Sequence, residues 1–219
     1  MEIYFPKKTA ILRRSVAFTL IEMMVVMAII GILVTASISL LNGNGTQARR
    51  DATNTLVGLV EQSRTRAVTG KYHVMLAIIA PADLPNGDDR CRVGMFQVKK
   101  WTSDTTLEGE LFSRWRSLSR GIILIPGEVN GIANPLDQPK VTIHYGGAKN
   151  LTVRAHLIAF NPCGGLHYPP GSTPIIVRLA EGGYRNGTAT PNRRGPNNAI
   201  SENLLKIGRV TARPYPIDG

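Results

Sequence analysis

Residues 23–41 read MMVVMAIIGILVTASISLL, nineteen consecutive positions without a charged side chain. As an α-helix, this run spans roughly 28 Å, close to the thickness of the hydrocarbon core of a bilayer. Length alone leaves three interpretations open: a cleaved secretory signal ending near Thr35-Ala36-Ser37, an ordinary signal anchor, or an anchor that is processed on its amino-terminal side. The residues that precede the run distinguish between them.

A carboxylate, Glu22, stands directly before the apolar run. Burying a carboxylate at the centre of a membrane helix costs on the order of 2.5–3.5 kcal/mol, and less near the interface, so such residues usually have a function. Neither a secretory signal nor an ordinary anchor needs one. The leader before it, residues 1–17, carries a net charge of +3, which favours a cytoplasmic leader. Arg13-Arg14 also occurs in twin-arginine export signals, but the rest of that motif is missing.

Residues 17–33, AFTLIEMMVVMAIIGIL, closely resemble the processing and assembly signal of type IV prepilins and type II secretion pseudopilins. The resemblance implies that prepilin peptidase cuts between Ala17 and Phe18 and that the new amine of Phe18 is methylated. It also implies that Glu22, the fifth mature residue, helps the subunit dock with other pilin or pseudopilin subunits. Ala17 departs from the Gly that is usual in the family, and it is larger by one methyl group.

Glu22 also has a physical role that its position suggests. A carboxylate among packed apolar helices needs a cation or hydrogen-bond donors to offset its desolvation. The terminal amine of a neighbour's Phe18 would serve, because four residues span just over one helical turn and a small axial stagger brings the two groups together. The alternative is an acid that extends towards the lipid headgroups.

A second helical pattern follows the break at Asn42-Gly43-Asn44-Gly45, which predicts a kink or a melted turn. The break also fits the pattern G-x-G-x-x-A, but a dinucleotide loop follows a short buried strand rather than a membrane-length helix. Gly70 is the expected carboxyl-terminal cap. We therefore predict one long amino-terminal helix, with residues 18–41 as its assembly half and residues 42–70 as its amphipathic half. Its apolar face comprises Ala48, Ala52, Leu56, Leu59, Val60, Ser63 and Ala67.

Beyond Gly70 the sequence consists of short apolar runs of strand length, separated by turns that contain Gly, Asn and Pro. This pattern predicts antiparallel sheets in a β-rich domain, 71–219. Residues 182–199 have almost no apolar side chains, so we expect an exposed basic loop there. The predicted strands are His73–Ala80, Arg92–Lys100, Ile122–Pro126, Val141–Tyr145, Leu151–Phe160, Ile175–Leu179 and Leu204–Thr211.

Several later stretches extend the resemblance to the GspH/FimT family of minor pilins and pseudopilins. They include Trp115-Arg-Ser-Leu118, the run from Ile158 to Gly164, and the final Gly208-Arg209-Val210. The resemblance implies an α+β, pilin-like fold in which a long amino-terminal helix packs on antiparallel β-sheets.

The formal net charge of +11 makes an acidic surface, anionic lipid or nucleic acid a natural partner. The resemblance to FimT-type minor pilins implies DNA binding through a Gly-Arg-x-Arg tail, and Gly208-Arg209-Val-Thr-Ala-Arg213 resembles that motif with two extra residues. On a strand, that spacing would place both arginines on one face. The competing interpretation is a charged edge strand that discourages aggregation. The candidate DNA-binding residues are Arg185, Arg193, Arg194, Lys206, Arg209 and Arg213.

The sequence has no catalytic or metal-binding motif of the types G-x-S-x-G, H-E-x-x-H, complete P-loop or paired-cysteine zinc site. The nearest candidate, Cys163-x-x-x-His167, lacks a second cysteine. We expect no catalytic residue, no metal and no cofactor. Cys91 and Cys163 either form one disulfide in an oxidising compartment or remain two independent buried thiols.

The sequence therefore predicts a non-enzymatic protein of the bacterial inner membrane, anchored by a single pass with its carboxyl-terminal domain in the periplasm. After processing it would join a type II secretion pseudopilus, and so serve protein secretion, or a type IV pilus. A DNA-binding pilin of the uptake type is the second hypothesis, and a membrane-tethered periplasmic enzyme is the third.

Overall fold

The computed structural model describes residues 19–42, 44–84, 89–103, 105–147, 150–192 and 199–218, without the side chains of residues 34–42, 44 and 218. The chain divides into two units, Met1–Gly43 and Asn44–Gly219. The first contains helix α1, Leu20–Asn42, and the second contains helix α2, Asn44–Gly70, together with the strands. Helix α2 packs against the strands within the second unit.

Helix α2 buries the apolar face that its sequence predicts. Ala52, Leu56, Leu59, Val60 and Ala67 are buried, and Ala48 packs beside them. Ser63 lies in the same face. Its hydroxyl donates to the carbonyl of Leu59 at 2.7 Å, so this buried polar group has a hydrogen-bond partner.

The carboxyl-terminal end of α2 differs from the prediction in one residue. Gly70 is the last helical residue, and Lys71 adopts the left-handed conformation that ends the helix, with φ of 53°. Gly70 is required for another reason: a Cβ there would lie 2.2 Å from the ring of Tyr72. The glycine thus permits close packing, while its neighbour forms the cap.

Twelve strands are formed by the described residues, and each of the seven predicted runs overlaps one of them, although β2, β9 and β11 extend beyond the predicted bounds. The strands missed are β3, β4, β8, β10 and β12. The bounds are β1 Val74–Ile79, β2 Arg92–Ser103, β3 Thr106–Leu111, β4 Arg116–Ser117, β5 Ile122–Ile125, β6 Val141–Tyr145, β7 Leu151–Phe160, β8 Leu166–Tyr168, β9 Ile175–Arg185, β10 Thr188–Pro191, β11 Glu202–Ile207 and β12 Pro214–Asp218. Two 3-10 helices occupy Pro81–Asp83 and Pro135–Asp137.

The first sheet closes on itself into a small barrel. Its strands pair in the order β1-β2-β3-β6-β7, and β7 pairs with β1 to complete the ring. The pairing of β3 with β6 is parallel, whereas the other four pairings of the ring are antiparallel. The α+β class and the predominance of antiparallel pairing are confirmed, and the parallel pair is the exception. Strands β4 and β8 add to β2 and β7 outside the ring.

Strand β1 explains how the two halves of the core meet. Met75, Ala77 and Ile79 belong to one apolar cluster with residues from β2, β3, β6 and β7, which fills the barrel. The alternate residues Val74, Leu76 and Ile78 belong to a second cluster that includes the buried face of α2 and the second sheet. Because both faces of β1 are buried, its sequence VMLAII is continuously apolar rather than alternating.

The second sheet contains β5, β9, β10, β11 and β12. Strand β9 extends to Arg185 and forms a hairpin with β10 through the turn Asn186-Gly187, both of which have positive φ, 49° and 78°. The predicted exposed loop over residues 182–199 is therefore wrong for its first ten residues. An Asn-Gly pair is the usual turn of a two-residue hairpin loop, and β9 supplies the backbone pairing that the polar sequence of β10 needs.

Strand β12 lies at the edge of this sheet, paired with β11. Pro214 and Pro216 stand opposite Ile207 and Leu205. The amide of Gly208 donates to the carbonyl of Arg213 at 3.0 Å, which places both prolines at the positions whose backbone nitrogens point away from β11. The open side of β12 therefore has no N–H group at either residue.

Candidate functional site

The amino terminus of α1 begins with a reciprocal cap between Thr19 and Glu22. The amide of Glu22 donates to Oγ1 of Thr19 at 3.2 Å, and the amide of Thr19 donates to Oε2 of Glu22 at 3.3 Å. This is the capping box that the pattern T-x-x-E specifies. The sequence argument treated Glu22 only as an assembly residue, although Thr19 and the spacing were sufficient to predict the cap.

The cap gives the Glu22 carboxylate a local partner within its own subunit. Both side chains are exposed, and so are the apolar residues that follow, including Leu20 at 80% and Met27 at 70%. Ala17 and Phe18, the residues on either side of the expected cut, lie outside the described residues. No helix within the described part of the chain is both long enough and apolar enough to cross a membrane.

Arg209, the central residue of the expected DNA-binding motif, is held by backbone oxygens of a neighbouring loop. Its Nε donates to the carbonyl of Thr173 at 2.9 Å, and its Nη1 donates to the carbonyl of Pro169 at 2.6 Å. Its own carbonyl accepts from the amide of Leu166 at 2.9 Å. Burial lowers the pKa of this guanidinium. Arg209 therefore acts as an internal brace between the end of β11 and the loop after β8.

The strand expected to reach Thr211 ends at Ile207, so the argument from strand spacing is wrong. Arg209, Val210 and Thr211 form a turn, and Ala212 has a positive φ of 46°. The amide of Gly208 then pairs with Arg213 across this turn. Arg209 is partly buried whereas Arg213 is exposed, so the two arginines do not form one surface in the way that the strand spacing implied.

The remaining basic candidates occupy separate positions. Arg185 is exposed at the end of β9, next to the Asn186-Gly187 turn, and Lys206 is half-buried on β11. Arg193 and Arg194 lie outside the described residues. Among the described candidates, Arg185 and Arg213 are exposed and Lys206 is half-buried. Arg209 is hydrogen-bonded to the carbonyls of Pro169 and Thr173.

The cysteines are free thiols rather than a disulfide. Cys91 is buried, and its sulfur lies 2.7 Å from the hydroxyl oxygen of Tyr184, which also accepts the amide of Leu124 at 3.2 Å. Burial raises the pKa of Cys91 to about 11. Burial and the charge of Cys91 raise the pKa of Tyr184 as well. Cys163 is exposed, so only Cys91 fits the alternative of buried thiols.

No group of three or more His, Cys, Asp or Glu side chains in the described part of the chain could hold a metal ion. Cys163 and His167 are accordingly not part of such a group. His167 instead lies against the ring of His73, with 4.6 Å between the ring centroids.

Comparison with protein families identifies the amino terminus. Residues 13–38 match the prokaryotic N-terminal methylation motif. This confirms the type IV prepilin or pseudopilin signal recognised in the sequence, because the matched segment contains the expected cut and Glu22. The match ends before α2 and does not extend to the narrower GspH/FimT assignment.

Among curated proteins, no significant relative is found. Among solved structures, the type IV minor pilin FimU of Pseudomonas aeruginosa strain PAO1 is similar at 11% identity and a TM-score of 0.38. The similarity covers 80% of this chain and 90% of that chain. A likeness at this level assigns neither a function nor a partner to this chain.

Proposed function

We propose that this chain is a minor pilin or pseudopilin, a structural subunit that prepilin peptidase processes and a filament then incorporates. The observation that carries the proposal is the methylation motif over residues 13–38. The exposed apolar side chains of α1 support it, because an isolated soluble helix would not present Leu20, Met27 and their neighbours to water.

In this proposal the two units have different tasks. The basic leader stays on the cytoplasmic side, α1 holds the precursor in the inner membrane and later packs among other subunits, and the unit from Asn44 onwards folds in the periplasm. Removal of residues 1–17 creates a terminal amine at Phe18. Glu22 of a neighbouring subunit forms an ion pair with this amine. The filament is a type II secretion pseudopilus or a type IV pilus.

Processing is the direct test. Co-expression of the full chain with a prepilin peptidase should remove residues 1–17 and add a methyl group at Phe18, as measured by intact mass spectrometry. Replacing Phe18 with Ala should leave a cleavable but less efficiently methylated terminus, and a catalytically inactive peptidase is the control. An intact Met1, or a cut near Ser37, would refute the proposal.

DNA capture during uptake is the second candidate function, and the net charge of +11 with exposed Arg185 and Arg213 favours it. Phosphate contact without base readout predicts affinity that falls steeply with salt and depends little on sequence. Arg213→Ala should reduce the logarithmic salt slope by about 0.7–0.9, as should Arg185→Ala. Arg209→Ala is not an equivalent probe, because its brace to Pro169 and Thr173 would be lost.

A gel-retardation titration with the fragment from Asn44 measures this directly. The fragment omits α1 and retains the whole described basic surface. Arg154→Ala is the matched control, since Arg154 is an exposed arginine on β7, in the barrel rather than in the second sheet. Absence of retardation at low salt would remove DNA capture and leave filament assembly unaffected.

A further inference from the structure

A groove lies at the end of the barrel where β1, β3 and β6 begin and where β2 and β7 end. Its volume is about 790 Å³. Its lining includes Trp101 and Ser103 at the end of β2, Thr105 before β3, and Gln138 before β6. His167 and Tyr168 of β8 complete it. This site is separate from α1 and from the exposed arginines.

Aromatic rings form one wall of the groove. The ring centroids of Trp101 and Tyr168 are 6.3 Å apart with 35° between their planes, and Trp101 and His167 are 6.4 Å apart. His167 in turn rests on His73, and burial together with the charge of His167 lowers the pKa of His73. The wall is thus a set of mutually supported rings, and it is concave and largely apolar, as small-molecule sites are.

The loop behind this wall is fixed by the Arg209 brace. Arg209 donates to the carbonyl of Pro169, the residue directly after Tyr168, and to that of Thr173. The brace therefore holds the segment that carries Tyr168 and Pro170 at the rim. Arg209, which the sequence predicted to contact DNA phosphates, instead holds the loop at the rim of the groove in place.

The polar part of the lining consists of uncharged groups. Thr102, Ser103 and Thr105 present hydroxyls, and Gln138 presents an amide, each of which can both donate and accept hydrogen bonds. Apart from the imidazole of His167, the described lining contains no ionisable side chain with a charge at neutral pH. The adjacent Lys140 directs its ammonium to Asp83, at 2.6 Å.

We propose that this groove binds a neutral oligosaccharide of pyranose units. Such a sugar has an apolar face of C–H groups that stacks on aromatic rings, and hydroxyls at its edge that pair with short polar side chains. A nucleic acid would find no free cation in the described lining to neutralise its phosphates. A purely aliphatic ligand would displace water from the polar part of the lining and offer it no hydrogen bonds in return.

Tryptophan fluorescence provides a local readout, because the chain has two tryptophans and only Trp101 lines the groove. Trp115 packs against Phe96 and Tyr145, so Trp115→Phe leaves Trp101 as the sole reporter in the full chain. Cellotetraose and chitotetraose should change the Trp101 emission in a saturable manner. Tetragalacturonate, which is anionic, should bind at least about tenfold more weakly than cellotetraose because the groove offers it no free cation.

Calorimetry with the same probes tests individual residues. Trp101→Ala should weaken binding about tenfold or more, whereas Trp115→Phe should leave it unchanged. Gln138→Ala, a smaller change at the rim, keeps the proposal testable if Trp101→Ala fails to fold, and it should weaken binding severalfold. If neither Trp101→Ala nor Gln138→Ala weakens binding, the proposal is wrong. The proposal is also wrong if neither cellotetraose nor chitotetraose saturates the groove at millimolar concentration. It is wrong as well if the peptide decaproline binds more tightly than both sugars.

Discussion

Replacing Glu22 with glutamine separates two roles that one carboxylate could hold at the start of α1. In the subunit, Glu22 completes a capping box with Thr19. In the filament, we propose that it pairs with the amine of a neighbour's Phe18. Glutamine retains the shape and the acceptor oxygen that the cap needs, since the capping box accepts Glu or Gln, but it has no charge. Thr19→Ala does the reverse, because it removes the hydroxyl acceptor and keeps the carboxylate.

The two losses differ in size. Truncating an N-cap threonine to alanine costs about 0.5–2 kcal/mol of helix stability, which is at most about thirtyfold in a local equilibrium. An ion pair at about 4 Å in a medium of effective dielectric constant near 20 contributes on the order of 4 kcal/mol, about a thousandfold in association. Assembly should therefore fall modestly in Thr19→Ala and almost completely in both Glu22→Gln and Glu22→Ala.

The assay measures incorporation of each full-length variant into sheared filaments, relative to the amount of processed subunit in the membrane. Processing itself should be unchanged, and it serves as the internal control for insertion and folding. Normal incorporation of Glu22→Gln, together with matching defects in Thr19→Ala and Glu22→Ala, would show that the cap is the whole role of this residue. That result would refute the intersubunit ion pair.

Three further predictions concern the second unit. Iodoacetamide should modify Cys163 in the native chain and reach Cys91 only after unfolding in urea, as counted by mass spectrometry; no modification in either state would contradict free thiols. Tyr184→Phe leaves the buried amide of Leu124 without its acceptor and should lower the free energy of unfolding by about 1–3 kcal/mol in a urea titration, while Tyr215→Phe, at an exposed site, should not. Because the pKa of Cys91 is raised from 9.0 to about 11, the unfolded chain loses this proton first as pH rises. The stabilisation that comes from keeping the Cys91 thiol neutral should therefore be present in full below pH 9 and be lost towards pH 11. Cys91→Ala should make the decline shallower, while the raised pKa of Tyr184 keeps part of it; an unchanged slope would contradict the role of Cys91.

Much of the second unit could be predicted from its apolar pattern. Strands β6 and β7 were predicted with their observed bounds, and the buried face of α2 was predicted except for Thr53, while the predicted Ala48 is only partly buried. These elements bury strongly apolar positions at the period of their own secondary structure, so local sequence and tertiary packing agree.

The missed strands are polar, rich in proline, or only two or three residues long, as β4 and β8 are. Strand β3 reads TLEGEL, β10 reads TATP and β12 reads PYPID, and each is a strand because a neighbouring strand pairs with it. Strand propensity depends strongly on such context. The Asn186-Gly187 turn was a readable signal for the hairpin that the loop prediction overlooked.

The functional residues divide in the same way. Glu22 and the cut before Phe18 came from a contiguous motif, which the methylation-motif match over residues 13–38 covers. The role of Arg209 could not be predicted, because its acceptors, Pro169 and Thr173, are 40 and 36 positions away in the chain. The aromatic wall likewise combines Trp101 with Tyr168, which only the closure of the barrel brings together.

Pro214 and Pro216 of β12 limit the ways in which copies of this chain can join through their strands. Under the proposed function, copies of the membrane-held precursor meet one another repeatedly in two dimensions, where any open strand edge is a template for cross-linking through backbone hydrogen bonds. The barrel has closed its ring, and Pro214 and Pro216 remove donors from the edge that remains at β12. The second unit is thereby discouraged from polymerising through this edge, which leaves the order of subunits in a filament to be set elsewhere, by their helices.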